Sequence, residues 1–198
     1  MSAEFFISSE FQQSGSYIYD LYAGLLGRKP DYGEFTPDRA QVIGGSGLDA
    51  AKTAFAQSFV QRPEFIIRYP QSLTREQFVD AVLLTMQQRS GTDVASLRDG
   101  LLADYDNGGR ALVVRHAAEA PLFVSAEYNK AFVLMQYYGY LRRGIDQGGY
   151  DFWLNVLTNS GGGAGNNYRG MVCAFLTSTE YQQRFGTVVT HSNAECGP

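Results

Sequence analysis

One phrase occurs twice in this chain. Residues 21–35 read LYAGLLGRKPDYGEF, and residues 137–153 read YYGYLRRGIDQGGYDFW. At an offset of 115, Tyr22, Gly24, Leu26, Arg28, Asp31 and Gly33 meet Tyr137, Gly139, Leu141, Arg143, Asp146 and Gly148. A second phrase, an apolar run followed by a small polar residue or proline and then a glutamate, recurs four times. It reads FFISSEF at 5–11, FVQRPEF at 59–65, FVSAEY at 123–128 and FLTSTEY at 175–181. Its glutamates are Glu10, Glu64, Glu127 and Glu180, in steps of 54, 63 and 53 residues. Glu10 to Glu127 spans 117 and Glu64 to Glu180 spans 116, close to the first offset. Repetition constrains the architecture before any element is assigned, because each unit must bury its apolar face on a neighbour.

The units read as helical. Ile18, Leu21, Tyr22 and Leu25 fall at i, i+3, i+4 and i+7, as do Val79, Val82, Leu83 and Met86 behind a capping box of Thr74 and Gln77. Tyr150, Trp153, Leu154 and Leu157 continue the pattern, followed by Val172, Phe175 and Leu176. Glycine-rich breakers separate the periodic stretches: GGSG at 44–47, DNGG at 106–109 and SGGGAGNN at 160–167. In each glutamate phrase, Ser, Thr or Pro starts a new short helix and Glu sits favourably at its positive end, so each phrase predicts a helix-to-helix joint. TVVT at 187–190 reads as an extended tail. The expected fold is all-α, a repeat or bundle of about 8–10 short helices in two related halves. Residues 1–118 form the first half, with a diverged unit at 73–118 whose loop carries Gly91 and Asp93. Residues 119–198 form the second half and the tail, within one compact domain.

Charge and composition narrow the function. The formal net charge is −4 with the signs scattered, and no cluster of Lys and Arg suits a phosphate backbone or an acidic membrane. The apolar runs are too short for membrane insertion, and no basic-then-apolar leader is visible. Two cysteines and two histidines are few for a zinc site. A disulfide between Cys173 and Cys196 is the better expectation. It would pin the tail with about 3 kcal/mol and imply an oxidising compartment.

The pattern LGR-x-PD-x-x-G-x-x-[YF]W, followed some way on by F-x-x-S-x-E-[YF], resembles a bacterial domain of unknown function, number 4214 in that series. It stands here as LLGRKPDYGEF, and as LRRGIDQGGYDFW with FLTSTEYQQRFG. The resemblance covers most of the chain and is strongest from about 120 to 186. It implies small helical units distantly similar to phycobilisome linker domains, set in secreted or surface proteins, with no established activity and no catalytic residue. The chain departs from the pattern at Arg142, where the first copy has Gly27, and at Ile145, where it has Pro30. The first copy also lacks the tryptophan.

Motifs for catalysis are absent: no GxSxG, no HExxH and no phosphate loop ending in GK[ST]. GGGAG at 161–165 follows a helix, which excludes a dinucleotide reading. Asp104, Asp106 and Asn107 begin like a calcium loop, but Arg115 stands where the bidentate glutamate belongs. A polar helix end is the plainer reading. His116 is expected to be a half-buried structural residue. Arg28 with Asp31, and Arg143 with Asp146, are expected to brace their loops. Tyr137, Tyr140, Tyr150 and Trp153 either pack between helices or form a ligand surface. No catalytic, cofactor or metal residue is assigned. The expected function is a non-enzymatic extracellular or cell-surface structural and interaction module. It binds protein partners or its own kind head to tail, because the chain opens on the tail phrase of a unit and so reads as cut from a longer protein or as a stacking subunit. The alternatives are a glycan-binding module of a secreted protein and an enzyme with an unrecognised site.

Overall fold

The computed structural model describes residues 9–42, 45–159 and 164–185. Ten α-helices account for most of them, and no strand occurs among the described residues. In chain order the helices are α1 (Ser9–Leu21), α2 (Tyr32–Gln41), α3 (Leu48–Phe59), α4 (Pro63–Arg68), α5 (Arg75–Ser90), α6 (Arg98–Glu119), α7 (Pro121–Gln136), α8 (Gln147–Asn159), α9 (Ala164–Thr177) and α10 (Thr179–Phe185). The all-α expectation and its helix number hold. TVVT, Cys196 and the Glu10 side chain lie outside what is described, and with Cys196 the expected disulfide.

The chain divides into two compact units, Ser9–Tyr128 and the described residues from Asn129 on. In the first, the periodic residues form the core: Ile18, Leu21, Tyr22, Leu25, Val79, Val82 and Met86 are all buried. α6 packs on α1, α3 and α5. A chain of edge-on aromatic contacts ties the short helices together, running Tyr22–Phe59–Phe65–Phe78 at centroid distances of 5.5, 6.0 and 6.2 Å. Thr74 accepts from the Gln77 amide while the Gln77 side chain accepts from the Thr74 amide, which is the expected capping box. In the second unit α9 packs on α8 and α10, and Val172 and Phe175 are buried on it. Trp153, Leu154 and Leu157 on α8 are only partly covered.

One local reading changes. FVSAEY at 123–128 marks no joint, because it lies inside the continuous helix α7, and its Glu127 is fully buried. Pro121 starts that helix instead, where a missing amide costs nothing. DNGG does break the helical run, as expected, and the break is a kink at Gly109. α6 runs from Arg98 to Glu119 with a break at Gly109, whose φ of 64° and ψ of −159° are accessible essentially to glycine alone.

Candidate functional site

The repeated phrase folds into the same joint twice. α1 widens at its end into a π-turn, Tyr22–Leu26, and α7 does so at Tyr137–Leu141. Each π-turn closes on a left-handed residue, Gly27 at φ 71° and Arg142 at φ 47°. The next residue is the arginine of the phrase. After it an aspartate caps the following helix: Asp31 accepts from the Glu34 amide at 2.8 Å, and Asp146 from the Gly149 amide at 2.7 Å.

The bracing itself departs from the expectation at the first joint. Arg143 meets Asp146 at 3.3 Å as expected, but Arg28 turns to Glu34 at 2.6 and 2.8 Å and leaves Asp31 to the helix cap. With Asp31 Oδ1 taken by the Glu34 amide, the Glu34 carboxylate gives the guanidinium a bidentate partner. Both arginines also grip a glutamate of the second phrase. Arg28 donates to Glu64 at 2.8 and 2.6 Å, and Arg143 donates to Glu180 at 2.5 and 2.8 Å. The arginines hold the carboxyls of Glu34, Glu64 and Glu180 below the usual glutamate value. Each arginine of the first phrase thus ties its joint to a glutamate phrase 36 or 37 residues on.

A third pair follows the same spacing. Arg89, near the end of α5, places Nε 3.2 Å from Oε2 of Glu127. Gly91 then closes α5 at φ 73°, and Asp93 caps the next turn through the Ala95 amide at 2.9 Å. The separations Arg28–Glu64, Arg89–Glu127 and Arg143–Glu180 are 36, 38 and 37 residues. The glutamate of the middle clamp is fully buried and its arginine largely covered. Tyr19 donates to Glu127 at 2.8 Å and accepts from Arg89 at 2.8 Å. Asp20, next in sequence, is 2% exposed and accepts from Ser16, with its Oδ1 unpartnered. Burial, and then the neighbouring charge of Glu127, push its carboxyl well above the usual aspartate range.

The aromatic residues considered as a ligand surface face mainly inward. Tyr137, Tyr140 and Tyr150 are buried. Tyr137 stands edge-on to Phe175 at 5.0 Å, and Tyr140 packs on Tyr181. Tyr150 donates to the Lys130 carbonyl at 3.2 Å. Their ring faces are therefore spent on the core, as expected for large apolar rings at helical spacing. Trp153 remains half-covered beside the exposed Phe152, 5.1 Å away and edge-on.

Asp104, Asp106 and Asn107 do not converge as a calcium site. Asp106 meets Arg75 at 2.5 Å, and Asp104 meets His116 at 2.8 Å. Among the described residues no group of three or more acidic, His or Cys side chains could hold a metal ion. His116 is about half-buried, as expected, but it is paired with a carboxylate. Its side chain is 47% exposed, and the Gly109 break brings it against a carboxylate twelve residues back. Nothing in the sequence pairs these two residues; the glycine that allows it is visible only as part of DNGG. No described helix is long and apolar enough to cross a membrane.

No known protein family, no curated protein and no solved structure matches the chain.

Proposed function

We propose that this chain is a non-enzymatic structural and interaction module built from three related helical units, each closed by an arginine–glutamate clamp. The observation that carries this reading is the clamp itself, at separations of 36, 38 and 37 residues. The charged groups of the repeated phrases are turned on each other and spent on holding units closed, as in repeat proteins whose surfaces bind partners. The first clamp lies within the half read as 1–118 and the third within 119–198, while the middle clamp joins Arg89 of the diverged unit 73–118 to Glu127 beyond that boundary. The resemblance to a domain found in secreted and surface proteins, together with the expected Cys173–Cys196 bridge, supports an extracellular setting. Self-association or a protein partner is the role such a module serves, and Ile67, 79% exposed, and Leu84, 55% exposed, offer apolar surface for it. Sedimentation velocity over a wide concentration range tests self-association: a rising average mass supports it, and a constant monomer mass removes it. An intact mass unchanged by reduction and alkylation removes the bridge.

A second reading, binding of a surface glycan, has one observation in its favour. Phe152 is 58% exposed beside the half-covered Trp153, and such an aromatic pair can stack on a sugar ring. A glycan array whose signals survive Phe152→Ala and Trp153→Ala removes this pair as the site.

A further inference from the structure

The break at Gly109 does more than bend α6. It sets the two arms of the helix on either side of a cleft of about 370 Å³, within the 9–128 unit. That volume lies near the lower end of the range for small-ligand pockets. Leu97 and Leu101 line one side and Pro121 the other, so much of the wall is apolar. The polar part is a pair, Asp104 from the first arm and His116 from the second, with His116 Nδ1 2.8 Å from Asp104 Oδ2. In the neutral imidazole a carboxylate at Nδ1 keeps the proton on that nitrogen and leaves Nε2 with a lone pair for an incoming donor.

The charge of the lining has one sign. It includes Asp104 and Glu119 and neither lysine nor arginine. Glu119 is already neutralised by Lys52 at 2.8 Å and Arg115 at 3.1 Å. Among the described residues the ion-pair partner of Asp104 is His116. The cleft therefore presents a carboxylate and an aromatic nitrogen acceptor over an apolar floor, a set that favours a hydrogen-bond-donating cation. Asp104, His116 and Glu119 all line it, but they are not among any group of described side chains that could hold a metal ion. Gly100 lines the same cleft, and a Cβ built there meets no atom within 4 Å, so the space above it is open.

We propose that this cleft binds a small organic ammonium ion with an apolar body. The ammonium donates to Asp104 and to His116 Nε2, and the body lies on Leu97, Leu101 and Pro121.

The test uses the whole chain and three isosteric probes: benzylammonium, benzyl alcohol and benzoate. Side-chain imidazole NMR follows His116 at constant pH, with His116→Asn to assign its signal against His191. Benzylammonium should shift the His116 signal saturably. Benzyl alcohol should bind at least about tenfold more weakly, the equivalent of one charge-assisted hydrogen bond, and benzoate more weakly still. Asp104→Asn keeps the shape and removes the charge, and should weaken benzylammonium by at least about tenfold. Gly100→Phe should fill the cleft and abolish the shift while the melting temperature stays near that of the parent. If Gly100→Phe fails to fold, Asp104→Asn decides alone. Equal binding of the neutral or anionic probe, undiminished binding by Asp104→Asn, or no saturation by benzylammonium would each overturn the proposal. So would Zn²⁺ displacing benzylammonium from the parent chain at lower concentration.

Discussion

The two joints share a backbone and differ in what fills it. At 21–35 the lock is polar. Tyr22 donates to Asp38 at 2.8 Å, and Arg62 reaches both Asp38 oxygens at 2.7 and 2.8 Å and Tyr22 at 2.7 Å. At 137–153 the lock is aromatic. The position matching Asp38 is Trp153, 6.1 Å from Phe175, and Tyr137 packs on the same Phe175. Burial pushes the Tyr137 hydroxyl up to about 12, and Asp146 adds to the effect. The same exchange runs through the entering helices. Asp20 and Leu21 of α1 match Met135 and Gln136 of α7, and all four are buried. Each joint thus carries one buried polar side chain where the other carries an apolar one. Asp20 Oδ1 and Gln136 Oε1 both lack a hydrogen-bond partner. The two joints thus have the same backbone form with different interior chemistry.

The largest effect should come from breaking the polar lock. Asp38→Ala leaves Arg62 without its carboxylate against the Phe59 ring, 5.0 Å away, and should cost about 3 kcal/mol. Trp153→Ala, on the half-covered side of the aromatic lock, should cost about 2 kcal/mol. Urea unfolding measures both. An Asp38→Ala loss no larger than that of an exposed ion pair, about 1 kcal/mol or less, would mean that the polar lock does not hold the joint.

The next test exchanges matching residues. Glu34 and Gly149 both stand three residues after their caps. At Gly149 a Cβ would lie 2.2 Å from the Tyr137 hydroxyl and 2.6 Å from Asp146 Oδ1, so Gly149→Ala must displace the tyrosine or the cap. It should cost about 2 kcal/mol, by overpacking. Glu34→Ala removes the other half of the capping box and one arm of the clamp, and should cost about 1 kcal/mol. A Gly149→Ala protein as stable as its parent would show that Tyr137 has room to move.

The joints should also differ in acid. Glu64 and Glu180 ionise more readily when clamped, so the stability they add is present above the ordinary glutamate value of 4.5 and fades as pH falls below it. Asp20 runs the other way. Its unfolded carboxyl gives up its proton near the ordinary 3.8 while the buried one keeps it, so stability falls as pH rises from there. The slope reaches at most about 1.4 kcal/mol per pH unit, until the folded group ionises as well. Asp20→Asn removes that slope and should raise the melting temperature at neutral pH relative to pH 4. Parallel profiles for parent and variant would mean that Asp20 is ionised in the fold.

These contrasts mark what the sequence could and could not disclose. The helices were legible because periodicity reports burial directly: Ile18, Val79 and Met86 sit in the core at the spacing that announces them. Arg28, Arg143, Glu64 and Glu180 were all visible as repeated residues, but their pairing was not. A guanidinium has several carboxylates within reach, and the choice of Glu64 over Asp31 is made by contacts 36 residues apart. The glutamates read as helix-start residues because that role is local, and Glu127 shows how a local rule fails inside a longer helix. The Asp104–His116 pair was hidden for a related reason. It depends on one backbone conformation at Gly109, and the letters DNGG permit that conformation without requiring it.

The smallest contrast lies at the left-handed cap. Gly27 adopts φ 71° without penalty, while Arg142 holds φ 47° with a side chain attached. An L-residue in this region costs about 1 kcal/mol against glycine. Arg142 recovers part of that by laying its guanidinium 5.0 Å from the Phe185 ring centre. Two substitutions separate the terms. Arg142→Ala loses the ring contact and keeps the strained backbone, whereas Arg142→Gly loses the contact and relieves the backbone. The glycine variant should therefore be the more stable of the two by about 1 kcal/mol, and Gly27→Ala should destabilise the other joint by a similar amount. Thermal unfolding of the three variants compares one backbone quantity measured at two places. If Gly27→Ala costs much more than Arg142→Gly gains over Arg142→Ala, the Arg68 and Thr85 side chains beside Gly27, 3.4 and 3.6 Å from a Cβ built there, supply the difference. The first joint would then be the more tightly packed, for all its polar lock.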